Sequence, residues 1–167
     1  IISQDDTLIE DESSIKEYQS DVGVCNFFSL TTRYDIAYSS NKLSQYSSKP
    51  TVGARKALNK LMSYLRYNNI FTITGIFAPK VNTTTYYSDS DHAGSMPEHS
   101  LSQSGLVLIL NSVPIYWKSK KQPNTSKSSA EAEIYALESA VSEARYLNWK
   151  REDFNSKVEW PTVGAHQ

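Results

Sequence analysis

Between Tyr18 and Leu65, apolar residues return every three or four positions, the spacing that lines one face of a helix. Tyr18, Val22, Cys25 and Phe28 form one stripe and predict a first helix. Ile36, Ala37, Leu43 and Tyr46 suggest a second. Pro50 and Thr51 are a start signal for a third, whose stripe is Ala57, Leu58, Leu61, Met62 and Leu65. Its other side carries Arg55, Lys56, Lys60 and Arg66, read either as solvated surface or as a basic face laid along a phosphate backbone. Ahead of these helices, residues 1–14 hold Asp, Glu and Ser without a sustained period, which predicts a solvated, disordered acidic lead-in.

Near Ile70 the pattern changes. Ile70–Phe77 and Val81–Asp89 are rich in Thr, Ile, Val and Tyr, as strands are. Ser104–Leu110 and Val113–Lys118 follow, and the two residues between them, Asn111 and Ser112, signal a hairpin. Lys120–Lys127 reads as a basic, polar loop. A long helix is predicted from about Ser129 to Asp153, and the tail, with Pro161 and Gly164, starts another strand. The switch of period divides the chain into the lead-in 1–14, a helical region 15–80 and a sheet-containing region 81–167, two packing units joined near residues 68–82.

Composition narrows the class. The chain has 167 residues, 39% of them hydrophobic, enough for one domain or two small ones. No stretch approaches the roughly 20 apolar residues of a membrane span. The start is acidic rather than basic followed by apolar, so no signal peptide is expected, and a first residue Ile1 hints at a processed product or a fragment. One cysteine, Cys25, forms no internal disulfide and favours a reducing compartment; with three scattered histidines it makes a structural zinc site a poor reading. Net charge is −1, but residues 1–22 hold seven acids against Lys16. The remainder carries 16 basic and 11 acidic residues, a mildly basic body compatible with nucleic acid.

Two carboxylates stand out. Asp89 ends the strand-like run Thr85–Asp89 and precedes the small, turn-like Ser90–Gly94. That places it open to a cleft, or simply in a turn. Glu133 is picked out by helical geometry. At about 100° per residue, Ile134, Ala136, Leu137, Ala140, Val141, Ala144 and Leu147 all fall within roughly 100° of it, so Glu133 is expected on the face that packs on the sheet. A carboxylate there calls for compensation, and a metal ion is one kind. Glu131 falls roughly 160° away and completes Ser128-Ser129-Ala130-Glu131, a capping box with Ser128 and Glu131 as the helix cap. An acid at a strand end and an acid early in a sheet-packing helix are ingredients of a two-metal nuclease.

Tyr87-Ser88-Asp89-Ser90-Asp91-His92-Ala93-Gly94 resembles the Tyr-Ser-Asp-Ala-Asp-Trp-Ala-Gly that opens ribonuclease H in copia-type retrotransposon polymerases. Ser102-Gln103-Ser104-Gly105 is similar to the family's Ser-Thr-Ser-Gly, and Pro114–Gln122 to its Pro-Ile-Ser-Trp-Ser-Ser-Lys-Lys-Gln. Ser128–Leu137 resembles Ser-Ser-Thr-Glu-Ala-Glu-Tyr-X-Ala-Leu. Upstream, Tyr18–Gly23 is similar to the Tyr-Arg-Ser-Leu-Val-Gly that follows the polymerase palm, and Thr32–Tyr38 to Thr-Arg-Pro-Asp-Ile-Ala-Tyr. The order and spacing of the set match from about residue 15 to 163. His92 stands where the family has Trp, and Tyr34 where it has Pro.

The resemblance implies an α+β or α/β fold: a helical reverse-transcriptase thumb or connection segment, then a ribonuclease H-like mixed five-stranded sheet with a packing helix. This chain would supply three strands, the helix and part of a fourth strand. It implies cleavage of the RNA strand of RNA–DNA hybrids with Mg2+, and carries Asp89 and Glu133 onto the family's first two catalytic, metal-binding carboxylates. The polymerase aspartates and the third ribonuclease H carboxylate are not found in this sequence, and the ribonuclease H region reads as truncated, so one Mg2+ or none is expected. Lys118, Lys120, Lys121 and Lys127 are the candidate hybrid contacts, against a plain solvated loop. The implied partners are the hybrid and the rest of the Pol polyprotein, with no membrane, in a cytoplasmic virus-like particle or the nucleus. The reading from another class is a catalytically inactive transposon remnant, inert or serving as a nucleic-acid-binding or interaction module.

Overall fold

A computed structural model describes residues 5–73, 84–92 and 101–157, with side chains of 154–157 outside the description. Helix α1 spans Glu12–Thr31, a short 3-10 turn Tyr34–Ile36 leads into α2, Ala37–Ser44, and α3 spans Val52–Tyr67. Strands β1 (Thr84–Asp91), β2 (Gln103–Leu110) and β3 (Val113–Lys121) follow, then α4 (Ser129–Lys157). The class is α+β: the described strands form one antiparallel sheet in the order β1-β2-β3. Of the Ile70–Phe77 run, residues 70–73 are not a strand and 74–77 lie outside the described residues, as does the tail strand at Pro161–Val163.

The three helices close on Tyr18, Val22, Cys25, Ile36, Leu43, Ala54, Leu58 and Leu61, a cluster drawn from α1, the 3-10 turn, α2 and α3 alone. Phe28, counted in the α1 stripe from spacing, is instead 41% exposed, and Ser29 takes its place inside. The Tyr18 hydroxyl donates to the Leu43 carbonyl at 2.8 Å, which ties α1 to α2 inside the core. Arg33 is the second tie. Its guanidinium grips Asp35 through Nε and Nη2, donates from Nη1 to the Asn68 carbonyl, and lies over the Phe71 and Tyr64 rings.

The acidic lead-in is not free from Asp5 onward, which corrects the disordered reading of 1–14. A helix start leaves N–H groups without intrahelical partners. In α3, Val52 and Gly53 donate theirs to the carbonyls of Thr7 and Asp5, and Thr51 Oγ1 accepts from Ala54. Leu8 bridges to Thr51, and Asp11 already caps α1. The basic side of α3 is also engaged: Arg55 bonds Asp21 and Glu17, and Lys56 bonds Asp5. Those two cations are neutralised within the chain rather than offered to a phosphate backbone.

In the sheet, Asn111 and Ser112 both take positive φ, 48° and 69°, the left-handed turn that matches strand twist in a two-residue hairpin. Pro114, with no N–H to give, sits in edge strand β3 beside a register shift at Leu108/Ile109. One sheet face meets α4: Tyr86 bonds Asn148, and Leu106 and Leu108 are buried with Ala132, Ala136 and Ala140. The other face meets the helical unit through Tyr38 to Asp91, Gln103 to Asn41, Trp117 to the Ser29 carbonyl and the Tyr34–Trp117 ring contact.

Candidate functional site

Glu133 lies in the second half of the first turns of α4, on the flank of the packing face rather than at its centre. The helix turns Ala132, Ala136 and Ala140 onto the sheet, while Ile134, Leu137 and Val141 remain exposed. The buried face is thus turned by about 60° from the one centred on Glu133. The reason is size: three alanines four apart make a flat strip that lets the helix approach β2 closely, whereas the larger aliphatic residues cannot enter that space. From the flank, Glu133 Oε1 accepts a hydrogen bond from the Ser90 backbone N–H at 3.3 Å. The helix therefore delivers this carboxylate to the Asp89–Ser90 peptide.

Asp89 itself turns the other way. Along β1, Tyr86, Ser88 and Ser90 share the α4 side, and Tyr87, Asp89 and Asp91 the opposite side. Asp89 thus opens into a cleft of about 510 Å³ between the sheet and the helical unit, walled by Tyr34, Tyr38, Tyr87 and Trp117. Asp91 lines the same cleft and accepts from the Tyr38 hydroxyl at 3.1 Å. Burial, together with that carboxylate, raises the Tyr38 pKa. The two candidate catalytic acids meet at one end of β1 but project from opposite faces, so they do not look at each other across one cleft. Among the described residues, no three His, Cys, Asp or Glu side chains gather as a metal site.

Glu131 is occupied at the helix start. Its Oε2 accepts from the Lys127 N–H at 2.6 Å, and Ser128 Oγ accepts from the Glu131 N–H at 3.1 Å. Of the four candidate lysines, Lys120, Lys121 and Lys127 are exposed. Lys118 instead pairs with Glu143 on α4, which holds that carboxyl below its usual range and removes Lys118 from the set offered to phosphate. Beside them, burial first and Glu143 second push the Tyr116 hydroxyl up to about 12.

A polar knot under the α4 start was not singled out from sequence. Gln122, 4% exposed, donates from Nε2 to Ser104 Oγ and to the Ala132 carbonyl, and accepts from Ser126 Oγ. Its backbone N–H donates to the Ser102 carbonyl at 2.7 Å. The signal was present: Gln122 and Ser102 fall inside matched motifs, although neither carries acid or base chemistry.

No family model matches the chain, and no solved structure matches it. It is 36% identical over 133 residues, 78% of its length, to the retrovirus-related Pol polyprotein from transposon RE1 of Arabidopsis thaliana. It is 35% identical over 132 residues to secreted RxLR effector protein 161 of Plasmopara viticola, covering 90% of that protein. Against the transposon Ty1-JR1 Gag-Pol polyprotein of Saccharomyces cerevisiae it is 25% identical over 162 residues, 93% of this chain. The chain spans 9% of the length of the RE1 and Ty1-JR1 polyproteins. With the ordered set of motifs, these likenesses show that the chain belongs to the copia-type retrotransposon Pol polyprotein family.

Proposed function

We propose that this chain is the part of a copia-type Pol polyprotein that joins the end of a reverse transcriptase to a ribonuclease H-like region. In that reading the sheet and α4 serve the hydrolysis of the RNA strand of RNA–DNA hybrids. Asp89 and Glu133 are its working carboxylates. The observation that carries it is the Glu133–Ser90 hydrogen bond, which brings the helix acid to the backbone of the strand acid. Lys120, Lys121 and Lys127 supply the phosphate contacts, which makes hybrid binding salt-dependent. The partners are the hybrid and the remainder of the polyprotein, in a cytoplasmic virus-like particle or the nucleus.

Two Mg2+ ions are the cofactor this reading calls for; Asp89 and Glu133 would supply two of the ligands, and a two-ion site needs more carboxylates than these two. The chain by itself is therefore expected to leave a labelled hybrid intact. The test uses a longer Pol polypeptide containing this sequence and follows Mg2+-dependent cleavage of the RNA strand. Asp89→Asn and Glu133→Gln are each expected to abolish cleavage in it. Full activity of either variant overturns the assignment, and cleavage by the unextended chain overturns the view that its site is incomplete.

A further inference from the structure

We propose that Gln122 is a positioning residue for Glu133. The inference rests on Glu133 being a working carboxylate, but its geometry is independent of any reaction. Gln122 follows the end of β3, and Ala132 is the residue before Glu133. The Gln122 amide spans the gap, donating to the Ala132 carbonyl at 2.9 Å and to Ser104 Oγ at 2.8 Å. A carbonyl oxygen only accepts, so the amide nitrogen faces Ala132 and the amide oxygen faces Ser126, whose hydroxyl donates to it at 2.8 Å. Every capacity of this side chain toward the α4 start is thus fixed in one orientation.

Its neighbours complete a short path to the acid. Ser104 is the register partner of Ser90 across β1 and β2, and Ser90 gives its N–H to Glu133. The Ser90 hydroxyl is buried and has no partner, an orphan that costs stability unless the fold gains elsewhere. Gln122 and its partner Ser104 therefore lie beneath the first turn of α4, and Ser90, beside Ser104 in the sheet, meets Glu133 through its own N–H. A tether on the carbonyl one residue before Glu133 sets how far α4 sits along β1, and so whether the carboxylate reaches Ser90. The capping box of Ser128 and Glu131 fixes where the helix begins but not where it lies on the sheet.

The test is amide hydrogen exchange of the whole chain at one fixed pH, read at Ser90 by nuclear magnetic resonance. In the wild type the bond to Glu133 slows exchange of the Ser90 N–H; that protection is the Ser90 response, and Glu133→Ala removes it. Gln122→Met keeps side-chain volume and cuts both donor bonds. It is expected to reduce the Ser90 response by more than half while α4 remains helical by circular dichroism. Gln122→Glu, which sets a carboxylate against the Ala132 carbonyl at neutral pH, is expected to do the same. A Ser90 response unchanged in both variants, even with faster amide exchange at Ala132, would make Gln122 a structural residue only and overturn the proposal. If the variants do not fold, the wild type still decides: both Gln122 Nε2 protons should exchange at least tenfold slower than those of an exposed glutamine, and equal rates overturn it. The reading does not require a hybrid, so loss of the hydrolysis assignment leaves this test intact.

Discussion

The helical unit closes on large apolar side chains, whereas the sheet and α4 meet over small ones. Tyr18, Ile36 and Leu58 are each 1% exposed or less. Across the seam, Ile134, Leu137 and Val141 stand 64, 56 and 44% exposed on α4, and the helix buries alanines instead. Burying a large apolar side chain contributes about 1.5–3 kcal/mol and a lone methyl roughly a third of that, so the helical unit gains far more per buried position. The sheet unit leans on directed polar contacts: the Gln122 knot, Tyr86 to Asn148 and Lys118 to Glu143. Among the described residues no strand pairs with the outer edge of β1. An edge strand beside an exposed aliphatic stripe favours self-association of this chain.

The comparison breaks first if the helical core proves soft. Leu58→Ala removes a fully buried side chain and is expected to cost about 2–5 kcal/mol, read as a lowered urea midpoint. The lone cysteine reports which unit opens. Cys25 is buried, and burial pushes its thiol up to about 11, so it resists thiol reagents until the helices part. Labelling in Leu58→Ala should accelerate with the loss of stability. Unchanged labelling together with a lowered midpoint would place the first opening in the sheet unit instead.

Arg33→Ala is the next largest. It strips Asp35 of both bonds and removes the cation from between the Tyr64 and Phe71 rings, a loss of about 2–3 kcal/mol after discounting the part-exposed carboxylate. The bond from Arg33 and, after it, that from Tyr64 lower the Asp35 pKa. A depressed carboxyl stabilises the fold above its ordinary range and loses that contribution as pH falls through the lowered value. Wild-type stability should therefore decline on acidification, and Arg33→Ala should flatten that decline.

Glu143→Gln tests the same linkage in the sheet unit at smaller scale. Its pair with Lys118 is partly solvated, so a loss of about 0.5–1 kcal/mol is expected near neutral pH. The Glu143 pKa is lowered chiefly by the Lys118 hydrogen bond, so the difference from wild type should vanish as pH falls through that lowered range. A difference that persists at low pH would assign the effect to packing rather than charge.

The three helices and the hairpin were legible because large residues repeat at one period and Asn111-Ser112 fits one turn. The lead-in was not, because its role lies in backbone carbonyls given to α3, and composition says nothing of those. Asp89 and Glu133 lie at neighbouring ends of their elements, and Asp89 opens to a cleft as its place at a strand end suggests, but the side of the sheet it takes was not legible. Strand alternation assigns a side only once the partner is known, and the Asp89 side of the sheet belongs to the helical unit. The α4 face was misplaced because periodicity weights a leucine above an alanine, while close packing here selects the smaller residue.

That misplacement gives the finest test of the comparison. Periodicity puts Leu137 in the core; the fold leaves it 56% exposed. Leu137→Ala should then change stability by no more than about 0.5 kcal/mol, the range of a surface substitution, and the better helix propensity of Ala offsets part of even that. The companion change Ala136→Leu should cost about 1–3 kcal/mol, because three added carbons are forced into a position that is 1% exposed against the sheet. Measured by urea denaturation at low protein concentration, the pair separates two arrangements of α4. A mild Leu137→Ala and a severe Ala136→Leu uphold the alanine face. A Leu137→Ala loss comparable to that of Leu58→Ala would mean that this stripe is covered in solution. Repeating it at tenfold higher concentration then tells whether the cover is a second copy, since only an intermolecular contact makes the cost depend on concentration.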